Sequence, residues 1–456
     1  MPSEIAQAAK ADSQNPSRLH HHMNIEWAKF IHGEKGPARE ASLRVRASIV
    51  GRTGILLLSC GTGAWRVRDA MNTIARSLGT TCSADIGLTT ITFTCFDGVN
   101  SYSQNLALPS TGVNTAKLSV LADFVNHFAE RYADKSAEEI HKQLDKIKGQ
   151  VGHYNGFQLG LAAGIACAGF IFLLGGGPIE MLGCFFGAGV GNYVRHTLIK
   201  NKVTTVANTA LGVASAGIVY FLVFHLLSLA IPNLNQGHEA GYIGAMLFVI
   251  PGFPFITSML DIAKVDMRSG LERLAFALLV TISATMVGWM VAMLIQFHPA
   301  NFLPLGLSPL ALALCRMAAS FAGAYGFSMM FNSPQKMAIT AGLMGAVANT
   351  LRLELIDLGH MPPAAAAFCG ALVAGLFASL INAWTAKAFP RICLTVPSIV
   401  IMVPGLYIYR GVYNLGLSNI GVGATWLTKA ALIILCLPFG LLVARVLLDR
   451  KWRKID

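Results

Sequence analysis

Charge is scarce in this chain. Only 13% of its 456 residues are Asp, Glu, Lys or Arg, while 54% are hydrophobic and the mean hydropathy is +0.55. Soluble domains carry about 25% charge, so the shortage excludes an ordinary soluble protein and implies an integral membrane one. No G-x-x-x-x-G-K-[ST] phosphate loop occurs, and Gly61-Thr62-Gly63 is too short and wrongly flanked to serve as one. An ATP-driven pump is therefore not indicated. The nine cysteines are scattered, odd in number and never paired as C-x-x-C, which argues for neither a zinc site nor a disulfide framework. A membrane enzyme would need a nucleophile with its base, or a metal cluster, and no His/Cys/Asp grouping has that spacing. No cofactor or metal is expected. A channel would need a polar stripe through several spans, and these spans are almost uniformly apolar. The net charge of +12 sits mostly outside them, without basic runs interleaved with stacking aromatics, so it reads as membrane topology and not as nucleic-acid binding.

A signal peptide is also missing, because the first 150 residues hold no long apolar run preceded by basic residues. That half is expected to stay in the cytoplasm. Residues 1–40 read as a disordered polar tail, and its His20-His21-His22 triplet reads as solvated. Residues 41–150 read as a small α+β domain. Apolar Val67, Met71, Ile74 and Leu78 recur at helical spacing, and Ile91, Phe93 and Cys95 alternate as in a strand before an Asp97-Gly98 turn. Further helices are expected over about 115–132 and 136–149, the second opened by a Ser136 to Glu139 capping box. Arg66, Arg68 and Asp69 are expected on a solvated helix face.

Ten apolar spans follow, at about 157–174, 178–195, 206–231, 241–260, 271–297, 308–331, 336–353, 363–386, 392–410 and 424–448. Each approaches the length that crosses about 30 Å of hydrocarbon. With a cytoplasmic amino terminus, the inner loops and tail collect Arg195, Lys200, Lys202, Lys264, Arg268, Lys387, Arg391, Arg450, Lys451, Arg453 and Lys454. Outer loops 175–177, 232–240 and 298–307 contain no Lys or Arg. This satisfies the positive-inside rule with ten spans and puts both termini on the cytoplasmic side of the cytoplasmic membrane.

Two spans are broken by proline. Span 4 contains Pro251-Gly252-Phe253-Pro254, and span 9 contains Pro404-Gly405 153 residues later. Proline within a helix removes a backbone donor and clashes with the preceding turn. In lipid, such irregular backbone is tolerated only where it meets protein, water or solute, and it marks transporter binding sites. Asn192 to Arg195 at the end of span 2 likewise returns as Asn349 to Arg352 in span 7, 157 residues later. Five spans per unit reverse the direction of entry. The expected fold is thus a 5+5 inverted-topology repeat, 151–300 and 301–456, with the breaks meeting near the midplane. Residues assigned to the solute are Asn192, Arg195, Pro251, Gly252, Pro254, Asn349, Arg352, Pro404, Gly405, Tyr409 and Arg410. Asp261 and Asp266 are the candidates for proton coupling, since a carboxylate shielded from water can titrate near neutrality. Arg316 is the deepest cation, whereas Glu180, Arg195, His225, Asp261, Glu354, Asp357 and Arg410 lie nearer span ends, where snorkelling is an adequate explanation, and a solvated cytoplasmic turn is the alternative for Asp261 and Asp266.

Several motifs taken in order resemble the threonine/serine exporter family. They are Ser59 to Met71 with Leu78-Gly79, Gly112 to Leu118, Tyr154 to Gly177, and Pro251 to Pro254 followed by Asp261 to Arg273. In the second half Phe331 to Pro334, Gly345, Pro404-Gly405 and Tyr409 to Gly411 resemble the family's companion domain, although Leu406 and Tyr407 stand where small or polar residues are expected. The resemblance implies secondary export, by antiport with protons, of threonine and serine. Split relatives are linked instead to the C4 dicarboxylate succinate. The residues themselves leave the solute open. A zwitterion would use both ends of a broken helix, while a dicarboxylate would use two of Arg195, Arg316, Arg352 and Arg410. A channel and a membrane-embedded enzyme are the alternatives from other classes. The expected partners are the solute, protons, the lipid bilayer and a second copy of the chain in a homo-oligomer.

Overall fold

The computed structural model describes residues 25–231 apart from 32 and 35, then 238, 241–297, 301–384, 389–449 and 452. The histidine triplet, most of the expected tail, Lys387, and the basic residues Arg450, Lys451, Arg453 and Lys454 lie outside the described residues. The chain divides into two compact units. The first comprises residues up to Cys60, Arg66–Gly112 and Asp123–Gly149. The second comprises Gln150 onward together with two short excursions of the amino-terminal chain, Gly61–Trp65 and Val113–Ala122.

In the first unit, strands β1 (Thr81–Ile86), β2 (Thr90–Phe96) and β3 (Ser101–Ala107) form an antiparallel sheet in that order. Ile91, Phe93 and Cys95 are buried, as their alternation predicts. The β2–β3 turn is held by Asp97, whose Oδ1 accepts from Asn100 N at 2.7 Å and Val99 N at 3.2 Å, with Gly98 at φ 95°. Helix α1 (Leu43–Ser59) is buried on most of its surface, and a Cβ on its Gly51 would lie 2.5 Å from Phe93 Cζ. Helix α2 (Ala64–Ser77) follows, and Arg68 on it donates to Ala84 O at 3.2 Å instead of facing only solvent. The helix expected over 115–132 is two, α3 (Thr115–Asn126), which belongs to the second unit as far as Ala122, and α4 (Phe128–Arg131), and α5 (Ala137–Lys148) starts at the Ser136 capping box.

Within this unit His141 of α5 is enclosed by α1. Ser48 Oγ donates to Val45 O at 2.7 Å, so it accepts from His141 Nε2 at 3.0 Å; Arg52 Nη1 donates to His141 Nδ1 at 3.0 Å. An arginine can only donate, so the imidazole is neutral with its proton on Nε2. Burial, reinforced by the Arg52 charge, pushes the histidine down to about 4. Arg52 is completed by Asp145.

The regular secondary structure among the described residues of the second unit is helical. Helices α6 (Gly156–Leu173), α7 (Pro178–Lys200) and α8 (Thr205–Ala230) lead to a broken pair, α9 (Tyr242–Met246) and α10 (Gly252–Ala263), and then to α11 (Met267–Ile295). Helices α12 (Pro309–Met330), α13 (Gln335–Asp357) and α14 (Pro363–Trp384) lead to a second broken pair, α15 (Arg391–Ile399) and α16 (Gly405–Gly416), and then to α17 (Ile420–Leu448). Seven of these helices are long and apolar enough to cross a membrane, and the two bent pairs raise the number to nine. Helix α7 is long enough at 23 residues but is not among them; it carries Glu180, Arg195 and Lys200. The protein is a multi-pass membrane protein.

Several ends move outward from their sequence estimates. Helix α7 continues to Lys200, so Arg195 lies in a helix and not in a loop, and α16 continues past Arg410 to Gly416. Arg and Lys are good helix formers whose stems cover apolar surface, so a charge marks the edge of the lipid and not the end of the helix. Glu180 does not snorkel either. It is 1% exposed, caps α7 by accepting Gly177 N at 2.8 Å, and meets His238 Nδ1 at 2.7 Å.

Candidate functional site

The two breaks share one backbone plan. Each apolar helix tightens into a single 3-10 turn, Leu247–Val249 or Val400–Met402. A proline then closes an inverse γ-turn: Gly252 N bonds Ile250 O and Gly405 N bonds Val403 O, each at 2.8 Å. Pro251 (φ −82°, ψ 64°) and Pro404 (φ −81°, ψ 54°) have nearly the same conformation. The helix axes bend by 51° and 45°.

The breaks also seat in one another. A Cβ on Gly252 would lie 2.3 Å from Val400 Cγ2, and a Cβ on Gly405 would lie 2.6 Å from Leu247 Cδ2. Each glycine thus admits the 3-10 turn of the opposite break. Tyr242 and Tyr409, both fully buried, join hydroxyl to hydroxyl across the same junction. Of the residues assigned to the solute, Pro251, Gly252, Pro404, Gly405 and Tyr409 are therefore brought together.

A cavity of about 580 Å³ reaches Pro404 and is walled by Arg316, Arg352, Asp357, Tyr407, Arg410 and Trp426 among mostly apolar residues. This is within the range of small-ligand pockets. Arg352 donates to Asn349 Oδ1 at 3.2 Å and has no carboxylate partner among the described residues, and its Nε is buried without a bond. Arg410 lies over the Trp426 ring at 5.1 Å and donates to Asn301 Oδ1 at 3.3 Å. Arg316 is different, because its Nη1 meets Glu354 Oε1 at 2.8 Å while Nη2 meets Asp357.

Other assigned residues stand apart from this cavity. Asn192 donates to Leu159 O at 2.8 Å and Asn349 to Ser320 Oγ at 2.9 Å, so each ties its helix to a neighbouring helix and not to a break. Arg195 packs over Gly212, as Arg352 packs over Gly370. Pro254 lies on the third residue of α10. Asp266 is 8% exposed at the start of α11.

Asp261 is neither snorkelling nor in a solvated turn. It is wholly buried and 3.2 Å from Arg273 Nε, and it accepts from Ala64 N and Ser269 Oγ, each at 3.0 Å. Arg273 donates onward to Gly61 O at 3.2 Å and Thr62 O at 2.7 Å. A Cβ on Gly63 would lie 2.5 Å from Asp261 Oδ1, so the loop must be glycine there. Residues 61–64 thus bind a carboxylate and a guanidinium. Linear sequence gives Gly61-Thr62-Gly63, Ser269 and Arg273 no place in the site; the signal for them is that the Ser59 to Met71 and Asp261 to Arg273 motifs resemble the same family. A second such pairing joins Thr115 Oγ1 to Ser333 Oγ at 2.7 Å and Asn332 Nδ2 to Asn114 Oδ1 at 3.1 Å.

Comparison with known proteins bears on both halves. A family described as "Putative threonine/serine exporter" matches residues 48–296, and one described as "Threonine/Serine exporter, ThrE" matches residues 316–447. The chain is 24% identical over 244 residues, 53% of its length, to 91% of "Probable succinate transporter subunit YjjP" of Escherichia coli K12. It is 28% identical over 156 residues, 34% of its length, to 57% of the protein of the same name from Klebsiella aerogenes. No solved structure matches the chain.

Proposed function

The chain belongs to the threonine/serine exporter family, and from that premise we propose that it is a secondary transporter exporting threonine and serine across the cytoplasmic membrane in exchange for protons. Ten spans form two inverted five-helix repeats, with α7 as the least apolar span and both termini in the cytoplasm. The observation that carries this reading is the reciprocal seating of Gly252 on Val400 and Gly405 on Leu247. Two helices interrupted at the same junction, each held by the other's turn, form a hinge about which the repeats can rock to expose a site alternately. Pro251, Gly252, Pro254, Pro404, Gly405 and Tyr409 line or shape that junction, Arg352 and Arg410 attract the solute carboxylate, and Asn192, Arg195 and Asn349 support the adjoining helices. Asp261 or Asp266 carries the proton. Protonating Asp261 would release Arg273 and the 61–64 loop that both residues hold.

A second reading, export of a dicarboxylate such as succinate, is favoured by one observation. Arg352 and Arg410 share the cavity wall, and among the described residues of that wall the acidic one, Asp357, meets Arg316. Efflux from energised vesicles loaded in parallel with labelled threonine, serine and succinate decides between the readings. Loss of threonine and serine that an uncoupler abolishes supports the first reading. Loss of succinate alone supports the second, and no protein-dependent efflux of any of the three defeats both.

A further inference from the structure

Cys82 and Cys95 form no C-x-x-C pair, yet they stand directly opposite each other in the sheet of the first unit. The register of β1 on β2 runs without a bulge from Cys82 and Cys95 to Ile86 and Ile91. Gly87 N donates to Thr90 O at 2.8 Å, so the next pair along the hairpin is a hydrogen-bonded one. Hydrogen-bonded and non-hydrogen-bonded pairs alternate along an antiparallel ladder, which makes Ile86–Ile91, Ala84–Phe93 and Cys82–Cys95 pairs of the second kind. Cα atoms in such a pair are about 4.5 Å apart, with both side chains on one face. A disulfide bridges Cα separations of about 4.4–6.8 Å.

Both residues are free thiols, Cys82 half-buried and Cys95 buried. The Cys95 thiol hydrogen-bonds the Cys82 sulfur, which favours the Cys82 thiolate and holds Cys82 below the ordinary thiol range. The same bond, with burial, holds Cys95 above that range, opposed by the charge of Arg46 on α1. Thiol–disulfide exchange needs a thiolate that its target can reach. Cys82 meets both requirements, and Cys95 stands against it.

We propose that Cys82 and Cys95 are a reversible dithiol–disulfide site that takes oxidising equivalents from small disulfides. The Cys82 thiolate attacks one sulfur of the small disulfide, breaks its S–S bond and expels one thiolate. Cys95 gives its proton to solvent, attacks the Cys82 sulfur of the mixed disulfide and expels the second. The cysteine pair loses two electrons and the small disulfide gains two, so no further oxidant is required. Excess small thiol runs the same steps backward. Because the two residues already face each other across a hairpin, closing the bond asks for no new strand pairing. The site lies within the first unit and is independent of the transporter reading.

Trypsin provides a direct test, since one peptide, 77–117, carries both cysteines and no other. The purified full-length protein is treated with oxidised glutathione, remaining thiols are blocked with iodoacetamide, and this peptide is weighed. It is expected to be lighter by two hydrogens and to escape alkylation, and dithiothreitol should restore both thiols. Cys95→Ser should stop at one glutathionyl adduct on Cys82. Cys82→Ser should acquire its adduct on Cys95 at least tenfold more slowly. The wild-type measurement stands even if a serine variant does not fold. Wild-type peptide alkylated at both positions, or held at a glutathionyl adduct on Cys82 beside an alkylated Cys95, overturns the inference. Equal rates of modification in the two serine variants would overturn the assignment of Cys82 as the attacking thiol.

Discussion

The two broken spans have the same backbone and opposite chemistry. Both run from a 3-10 turn through a proline γ-turn into a twelve-residue helix, then past a left-handed residue, Val265 (φ 65°) or Ser418 (φ 62°), into a helix of 29 residues. Even the residues before those long helices agree, Asp266 at φ −78°, ψ 61° and Asn419 at φ −82°, ψ 64°. Yet 153 residues after Asp261 stands Asn414, and 153 after Arg273 stands Trp426. In the first break that pair is a buried ion pair clasping the 61–64 loop. In the second it is an amide bonded to Arg410 O at 2.8 Å and an indole facing Tyr407, Arg410 and the cavity. The lesson is that Pro-Gly determines where the chain bends, while the residues one helix away determine whether the bend is sealed or open.

The strongest way to break the shared plan is to fill its glycines. Gly252→Ala and Gly405→Ala each put a methyl group inside the opposite turn, and each should abolish transport while leaving membrane insertion intact. Shortening the partner, as in Gly252→Ala with Val400→Ala or Gly405→Ala with Leu247→Ala, should restore measurable efflux. Pro251→Ala and Pro404→Ala should also impair efflux more than insertion. Equal rescue on both sides would show that the two breaks are mechanically equivalent.

Removing the ion pair attacks the difference instead. Asp261→Asn leaves Arg273 buried without its counter-charge, a change that costs about 3–5 kcal/mol. The expected result is a lower unfolding temperature and earlier protease cleavage near residues 61–64. If efflux by surviving Asp261→Asn protein stayed fully sensitive to an uncoupler, Asp261 would be the clasp and not the proton carrier.

A pH experiment on that clasp must first remove another titration. His141 is held neutral in the fold, with its value lowered from 6.5 to about 4. Unfolded chain takes up the proton below about 6.5 and folded chain only near 4, so stability falls as pH drops through this window. The full loss is about 3 kcal/mol. Hydrogen-exchange protection in α1 and α5 of the full chain, taken relative to the intrinsic rate at each pH, should fall between pH 7 and 4.5, and His141→Gln should flatten that dependence. The smallest effect is expected at the second break, where Asn414→Ala removes one amide bond worth about 1 kcal/mol and should shift thermal unfolding by only a few degrees.

Much of the architecture was legible because its signals are local. Alternation at Ile91, Phe93 and Cys95 marks a strand from neighbours two residues away, and the Ser136 capping box marks a helix start from three. The apolar windows and the Pro-Gly breaks are equally local. Helix ends were less legible, since Arg195 and Arg410 sit within helices whose charged residues look like loops in a linear reading. The site was legible only in part. Pro251, Gly252, Pro404, Gly405 and Tyr409 gather at one junction, whereas Asn192 and Asn349 turn toward neighbouring helices.

What the sequence by itself determined is where the chain is apolar, where it breaks and how far apart the breaks recur. Backbone geometry and transfer to lipid act residue by residue, so composition and proline position suffice. Only the tertiary structure decided which charges are spent and which are available. Asp261 is committed to Arg273 and to Ala64, and Arg316 to Glu354 and Asp357, while Arg352 has no carboxylate partner among the described residues. A charge is neutralised by what lies within a few ångströms of it, and those neighbours come from helices far apart along the chain.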